Sequence, residues 1–220
     1  MSARKVPLVN EEIYHIYSKS IAGFKIFRNK PEYQRMVKLF SYYKTSGSPL
    51  KFSAFLKIKN KNVFHQKHLA RKDKLVEIIA YCLMPTHIHL ILKQKKTEGI
   101  SYFMKNSLIS YTRYFNIKNK RKGPLWEGRF QNRLVDSDEY ILHLTRYIHL
   151  NPVTDKLKNK PEDWRYSSYH EYLNLDNDYC DKICDFFDYI DIDTASYKRF
   201  VEDNIDYQRE LNKIKHLIDF

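Results

Sequence analysis

The stretch LVEIIAYCLMPTHIHLILK is the longest apolar run in this sequence, and it restricts the possible folds more than any other segment. Pro85 interrupts it. Proline has no N–H to give to a sheet ladder, so the run reads as two strand-like segments that meet at Pro85. Along the second segment, side chains alternate between faces. Ile88, Leu90 and Leu92 then point toward one layer, and His87 and His89 point together toward the other. One strand thus divides a packed core from a polar patch.

The remaining segments supply partners for these strands. EEIYHIYSKSI alternates apolar and polar residues and reads as a strand. NKPEYQRMVKLFSYYKTS has Pro31 at a helix start and Tyr33, Met36, Val37 and Phe40 at helical spacing. After the turn SGSP, LKFSAFLKI reads as another strand. The basic segment 60–74, with His65 and His68, reads as a loop or short helix. GISYFMKNSLISYTRYFNIK is an amphipathic helix, with Tyr102, Met104, Leu108, Ile109 and Tyr111 available for its buried side. The basic loop NKRKGPLWEGRFQNR precedes DSDEYILHLTRYIHLN, a helix that Asp136 or Ser137 can cap and that Pro152 should stop. Cys82 reads as a core residue. The arrangement predicts an α+β fold, an antiparallel sheet with helices packed on it.

Charge adds a boundary. The chain of 220 residues carries a net charge of +13, but residues 1–170 hold a net +20 and residues 171–220 a net −7. This change of sign predicts a main domain over 1–174 and an acidic, helical extension over 175–220. A basic body with 31 tyrosines and phenylalanines suits a polyanion whose bases can stack, which favours single-stranded nucleic acid. A solvated lysine-rich surface gives the same composition. No apolar run reaches the length of a membrane span, and MSARKVPLVNEE lacks the core of a signal peptide. Three cysteines form no disulfide framework, Cys180 and Cys184 lack the company of a zinc site, and a reducing cytoplasm is the expected compartment.

Two imidazoles on one sheet face can share a divalent cation, although such pairs also occur without one. In the DSDEYILHLTRYIHLN helix, Tyr140, Leu144, Tyr147, Ile148 and Asn151 fall on one face. Tyr147 and Asn151 are neighbours at i and i+4. An amide oxygen can ligate a cation and a tyrosine hydroxyl can act as a nucleophile; helix packing would use the same residues. His143 lies one turn before Tyr147, where it could assist proton transfer or pack the helix. His149 reads as lying on the opposite side of the helix, with no role.

AYCLMPTHIHLIL, GPLWEGRF, YILHLTRYIHLNPV and WRYSSYHEYL, taken together and in order, resemble the REP-associated tyrosine transposases. That family belongs to the HUH single-tyrosine nucleases of single-stranded insertion sequences. EEIYHIYSKSIAGFKIF resembles its first strand and loop, so the likeness covers roughly residues 10–173. The resemblance implies a ferredoxin-like antiparallel sheet, His87 and His89 as the metal-binding pair, Tyr147 as the residue that attacks DNA, and Asn151 as the third metal ligand. Thr86 departs from the family, which more often has Asn there. The implied activity is a transposase, a divalent-cation-dependent (Mg²⁺ or Mn²⁺) single-stranded DNA endonuclease and strand transferase. It would cleave and rejoin DNA beside hairpins through a 5′-phosphotyrosine.

Arg113, Lys118, Lys120, Arg121, Lys122, Arg129 and Arg133, with Trp126, are expected to contact DNA phosphates and bases around GPLWEG. The implied partner is single-stranded DNA with palindromic hairpin structure, handled by a monomer or a homodimer. Two alternatives share the sequence features: a domesticated hairpin-binding protein that does not cut, and a plain repair nuclease. The acidic extension could compete with DNA for the basic body or serve as a helical cap.

Overall fold

The computed structural model describes residues 7–47, 50–60, 63–64, 73–175 and 181–210. Its first half contains β1 (Ile13–Lys19), α1 (Lys30–Tyr43), a single helical turn α2 (Phe52–Phe55), β2 (Val76–Leu83) and β3 (His87–Gln94). There follow α3 (Gly99–Lys118), β4 (Gln131–Val135), α4 (Asp138–Thr154), the short α5 (Tyr169–Tyr172) and α6 (Thr194–Glu202). Residues 205–210 are also helical.

The four strands pair antiparallel in the order β2-β3-β1-β4. With α1 between β1 and β2 and α3 between β3 and β4, this is the split βαβ succession. The α+β fold with helices on an antiparallel sheet is therefore as expected. Strand register sorts the side chains. Tyr14, Ile16, Ile88, Leu90 and Leu92 share one face and are all buried. Gln94 has the same parity, and its Oε1 accepts the Ile100 N–H at 3.2 Å in the first turn of α3. This apolar face lies under α1 and α3, which interlock through Phe40 and Phe103 at 5.5 Å between ring centroids. Gly99 is required where α3 begins, because a Cβ there would collide with the Leu75 carbonyl.

The opposite face carries His15, Tyr17, Lys19, His87 and His89, with Arg133 across from His15 on β4. It is covered in part by α4, whose Leu144, Ile148 and Asn151 are buried as the helical spacing predicted. Ser137 caps α4 by accepting the Tyr140 N–H at 3.2 Å.

Several sequence expectations need correction. LKFSAFLKI is not a strand; its only regular element is the turn α2, where Phe52 packs under Tyr42 and Phe55. The buried side of α3 uses Ile100, Phe103, Met104, Ser107, Leu108, Tyr111 and Phe115, whereas Tyr102 and Ile109 are exposed. β4 forms inside what reads as a basic loop, because its polar Gln131, Asn132 and Arg133 sit at the sheet edge. Pro152 does not stop α4 at Asn151. The last turn continues through Asp155 N–H to Asn151 O at 2.9 Å, a bond that needs no proline donor. His65, His68 and Cys180 lie outside the described residues.

The acidic segment is built into the body over 181–210. Ile183, Phe186, Tyr197 and Val201 are buried, and Asp185 bridges Lys44 at 3.4 Å and Lys74 at 3.1 Å. The described part therefore has the contacts of a cap on the core.

Candidate active site

The Pro85 turn starts β3 so that His87 and His89 project from the same face, with ring centroids 5.1 Å apart and planes at 87°. Each ring is held from its Nδ1 side. Thr86 Oγ1 lies 3.0 Å from His87 Nδ1, and His15 Nε2 lies 2.9 Å from His89 Nδ1. Holding a histidine by one nitrogen fixes the direction of the other, as in metal sites where an outer partner orients the ligand. The position that departs from the family pattern thus places the first histidine.

Burial pushes the His87 pKa down to about 4, and the Lys19 charge adds to the effect. His87 is therefore a neutral imidazole at neutral pH, the form that can ligate a cation. Tyr147 comes from α4 and presents its ring edge-on to His89 at 6.0 Å and to His15 at 6.4 Å. Burial raises its pKa, and Asp155 and Tyr17 push it further in the same direction. Asn151, one turn along α4, is 6% exposed, and its Nδ2 is buried without a hydrogen-bond partner.

Among the described residues, no group of three or more His, Cys, Asp and Glu side chains is arranged to hold a metal ion. A cation at this face would instead take two imidazoles and an amide. The orphaned amide of Asn151 fits that donor set. The two ends of a side-chain amide are assigned by hydrogen bonding, and turning this one over puts Oδ1 at the same buried spot.

Two cavities flank the site. One of about 380 Å³ is lined by His15, Tyr17, Arg133, Tyr140, His143 and Tyr147. The other, of about 940 Å³, opens at His87 and is lined by Lys25, Thr86, Asp155, Lys156 and Arg209. Both bring cationic side chains to the edge of the histidine face, as a phosphodiester strand would need.

The eight expected DNA contacts do not converge here. Arg133 alone reaches the Tyr147 cavity. Arg113, Trp126 and Arg129 line a separate groove of about 780 Å³ along α3. Trp126 is buried and donates from Nε1 to Leu108 O at 3.3 Å, so it packs the loop. Lys118 pairs with the buried Glu32 at 2.9 Å. Arg121 closes its own loop on Pro124 O at 2.6 Å, and Lys120 and Lys122 are exposed beside it.

Sequence reasoning missed two residues at or near the site and misread a third. His15 alternates correctly in IYHIYSK, but only the β1–β3 register places it against His89. Gln208 donates from Nε2 to Tyr147 O and to Thr154 Oγ1, both at 3.1 Å, which ties the 205–210 helix to α4. His149 corrects the expectation of an idle residue. It is fully buried, with Nδ1 2.7 Å from Tyr197 Oη and Nε2 2.8 Å from Ser168 Oγ. It thereby locks α4 between β2 and the C-terminal segment.

On this face a strand-borne histidine pair has the ring of a helical tyrosine 6.0 Å from His89. Residues 51–151, which include His87, His89, Tyr147 and Asn151, match the family described as Transposase IS200 like. The resemblance to REP-associated tyrosine transposases is likewise borne out. A candidate REP-associated tyrosine transposase of Haemophilus influenzae is 31% identical over 105 residues, covering 43% of this chain and 59% of that protein. The REP-associated tyrosine transposase of Escherichia coli K12 is 25% identical over 101 residues, covering 46% of this chain and 58% of that protein. These alignments thus span less than two thirds of either relative. A solved structure of a REP-associated tyrosine transposase bound to a REP hairpin shares the fold, with a TM-score of 0.56, 16% identity, and coverage of 87% of this chain and 99% of that one. No helix among the described residues is long and apolar enough to cross a membrane.

Proposed function

We propose that this protein is a divalent-cation-dependent transposase that cleaves and rejoins single-stranded DNA beside hairpins, with Tyr147 as nucleophile. The observation that carries the reading is the approach of Tyr147 on α4 to His89 on β3, with ring centroids 6.0 Å apart, while His87 lies 5.1 Å from His89 and Asn151 is buried one turn along α4. His87, His89 and Asn151 would hold Mg²⁺ or Mn²⁺, which supplies charge neutralisation at a non-bridging phosphate oxygen.

The remaining steps belong to the chain's own residues. Burial keeps the Tyr147 hydroxyl protonated in the resting protein, so its proton must leave as the oxygen attacks phosphorus. The new bond joins Tyr147 Oη to the 5′-phosphate, the P–O3′ bond breaks, and the departing 3′ oxygen takes a proton. The resulting 3′-hydroxyl can attack the phosphotyrosine of another cleaved end, which re-forms a phosphodiester and frees Tyr147 without ATP. Lys19 and Arg133, which flank the histidine face, would hold adjacent phosphates. Thr86 and His15 keep the two imidazoles aimed.

Cleavage assays on end-labelled hairpin oligonucleotides from the protein's own genomic neighbourhood test this. Nicking that requires Mg²⁺ or Mn²⁺, leaves a 3′-hydroxyl and is lost in His87→Ala supports the reading. Tight hairpin binding with no cleavage under any divalent ion would instead identify a binding protein.

A further inference from the structure

On the side of the sheet away from the histidines, α1, α2 and α3 enclose a cavity of about 600 Å³. Arg35, Lys51, Arg113 and Lys118 line it, and no aspartate or glutamate does among the described residues. The Arg35 guanidinium is clamped between two rings, 4.5 Å from the Phe52 centroid and 5.0 Å from that of Tyr114. Its Nε is buried with no hydrogen-bond partner. Among the described residues, Arg35, Lys51 and Arg113 make no ion pair; Lys118 is neutralised by Glu32 at 2.9 Å.

A guanidinium desolvated between rings keeps its charge, because arginine does not deprotonate in proteins. Aromatic faces hold it in place without cancelling that charge. Three uncompensated cations around one cavity therefore attract an anion, and the planar fork of arginine suits a phosphate. The walls add matching chemistry. The Tyr43 and Ser110 hydroxyls hydrogen-bond each other at 3.0 Å, which leaves one of their two protons to donate to a phosphate oxygen. Ile109 and Ile117, 42% and 80% exposed, offer apolar surface beside the cations for a sugar or base.

We propose that this cavity is a second ligand site that binds a nucleoside phosphate, with Arg35, Lys51 and Arg113 on the phosphate. The ligand is either a free nucleotide or one unit of a nucleic-acid strand. The site lies across the sheet from Tyr147 and needs no cleavage chemistry, so it stands independently of the proposed transposase activity.

Equilibrium dialysis of the full chain against radiolabelled dAMP tests it, with inorganic phosphate, deoxyadenosine and a single-stranded dodecamer as competitors. Lys51→Glu and Arg35→Met are compared with the parent, each first shown to melt cooperatively. If Arg35→Met does not fold, the exposed Lys51→Glu carries the test. The expected result is saturable binding that phosphate displaces and deoxyadenosine does not, weakened about tenfold or more in the variants, as loss of a charged hydrogen bond implies. If a strand is the natural source, the dodecamer binds more tightly than dAMP and is weakened by the same variants; if a free nucleotide is, the dodecamer competes no better than dAMP. Binding of dAMP and dodecamer that is indifferent to both variants, or displacement by deoxyadenosine, would overturn the proposal.

Discussion

On one face of β3, Ile88, Leu90 and Leu92 are fully buried beneath α1 and α3; on the other, His87 and His89 are held by individual partners brought from Thr86, β1 and α4. The two faces are interleaved residue by residue, yet they are specified differently. An apolar face is satisfied by any neighbours that fill its volume, so alternation suffices to define it. A histidine face needs a named acceptor or donor at a set distance from each ring. Those partners come from elements far apart in sequence, and only the register unites them.

The sharpest way to break this comparison is to exchange the damage. His89→Ala should lower DNA cleavage by more than about a hundredfold, beyond the 10- to 100-fold typical of outer partners, while the unfolding midpoint in urea moves little. Leu90→Ala should do the reverse, costing about 2–5 kcal/mol in urea unfolding through the cavity it leaves. Comparable stability losses in both variants would show that the histidines serve the core.

A second cut separates the ring holders from the rings. His15→Ala or Thr86→Val should weaken Mn²⁺ affinity about 10- to 100-fold, read from the Mn²⁺ dependence of cleavage, with the saturated rate recovered at high Mn²⁺. If neither variant shifts that dependence, the Nδ1 contacts do not aim the imidazoles.

Acidity probes the same side of the sheet. Burial pushes the His149 pKa down to about 3, with His170 acting in the same sense. An unfolded imidazole titrates near about 6.5. The stability owed to this neutral ring is complete above that value and is lost as pH falls toward about 3, by up to about 1.4 kcal/mol per pH unit. Urea midpoints at successive pH values should show that slope, and His149→Gln should flatten it. The smallest effect is expected of Gln208→Ala, which removes the tie to Tyr147 O and should cost about 0.5–1.5 kcal/mol in the same assay.

How far the sequence could be read follows the same division. β1, α1, β2, β3 and α4, with the alternation on β3, were legible because each pattern is local. The two histidines, Tyr147 and Asn151 could be gathered only through resemblance to a family, since periodicity put them on suitable faces without showing that the faces meet. His15 was invisible for want of a register, and β4 because an edge strand tolerates Gln131, Asn132 and Arg133 where a buried strand would not. LKFSAFLKI misled because its aromatics pack around Tyr42 as a turn. For the basic residues near GPLWEG, nearness in sequence is not convergence in space, and Lys118, Arg121 and Trp126 each have a partner within the fold.

The central claim is that Tyr147, delivered by α4 to the histidine pair, becomes covalently joined to DNA. It is tested most directly by incubating the protein with hairpin oligonucleotides and Mn²⁺, digesting the denatured products, and locating the modified peptide by mass spectrometry. The account predicts a nucleotide-bearing TRYIHLNPV peptide with the added mass on Tyr147, absent in Tyr147→Phe and when Mn²⁺ is chelated. An adduct on any other residue, or one that persists in Tyr147→Phe, would contradict it.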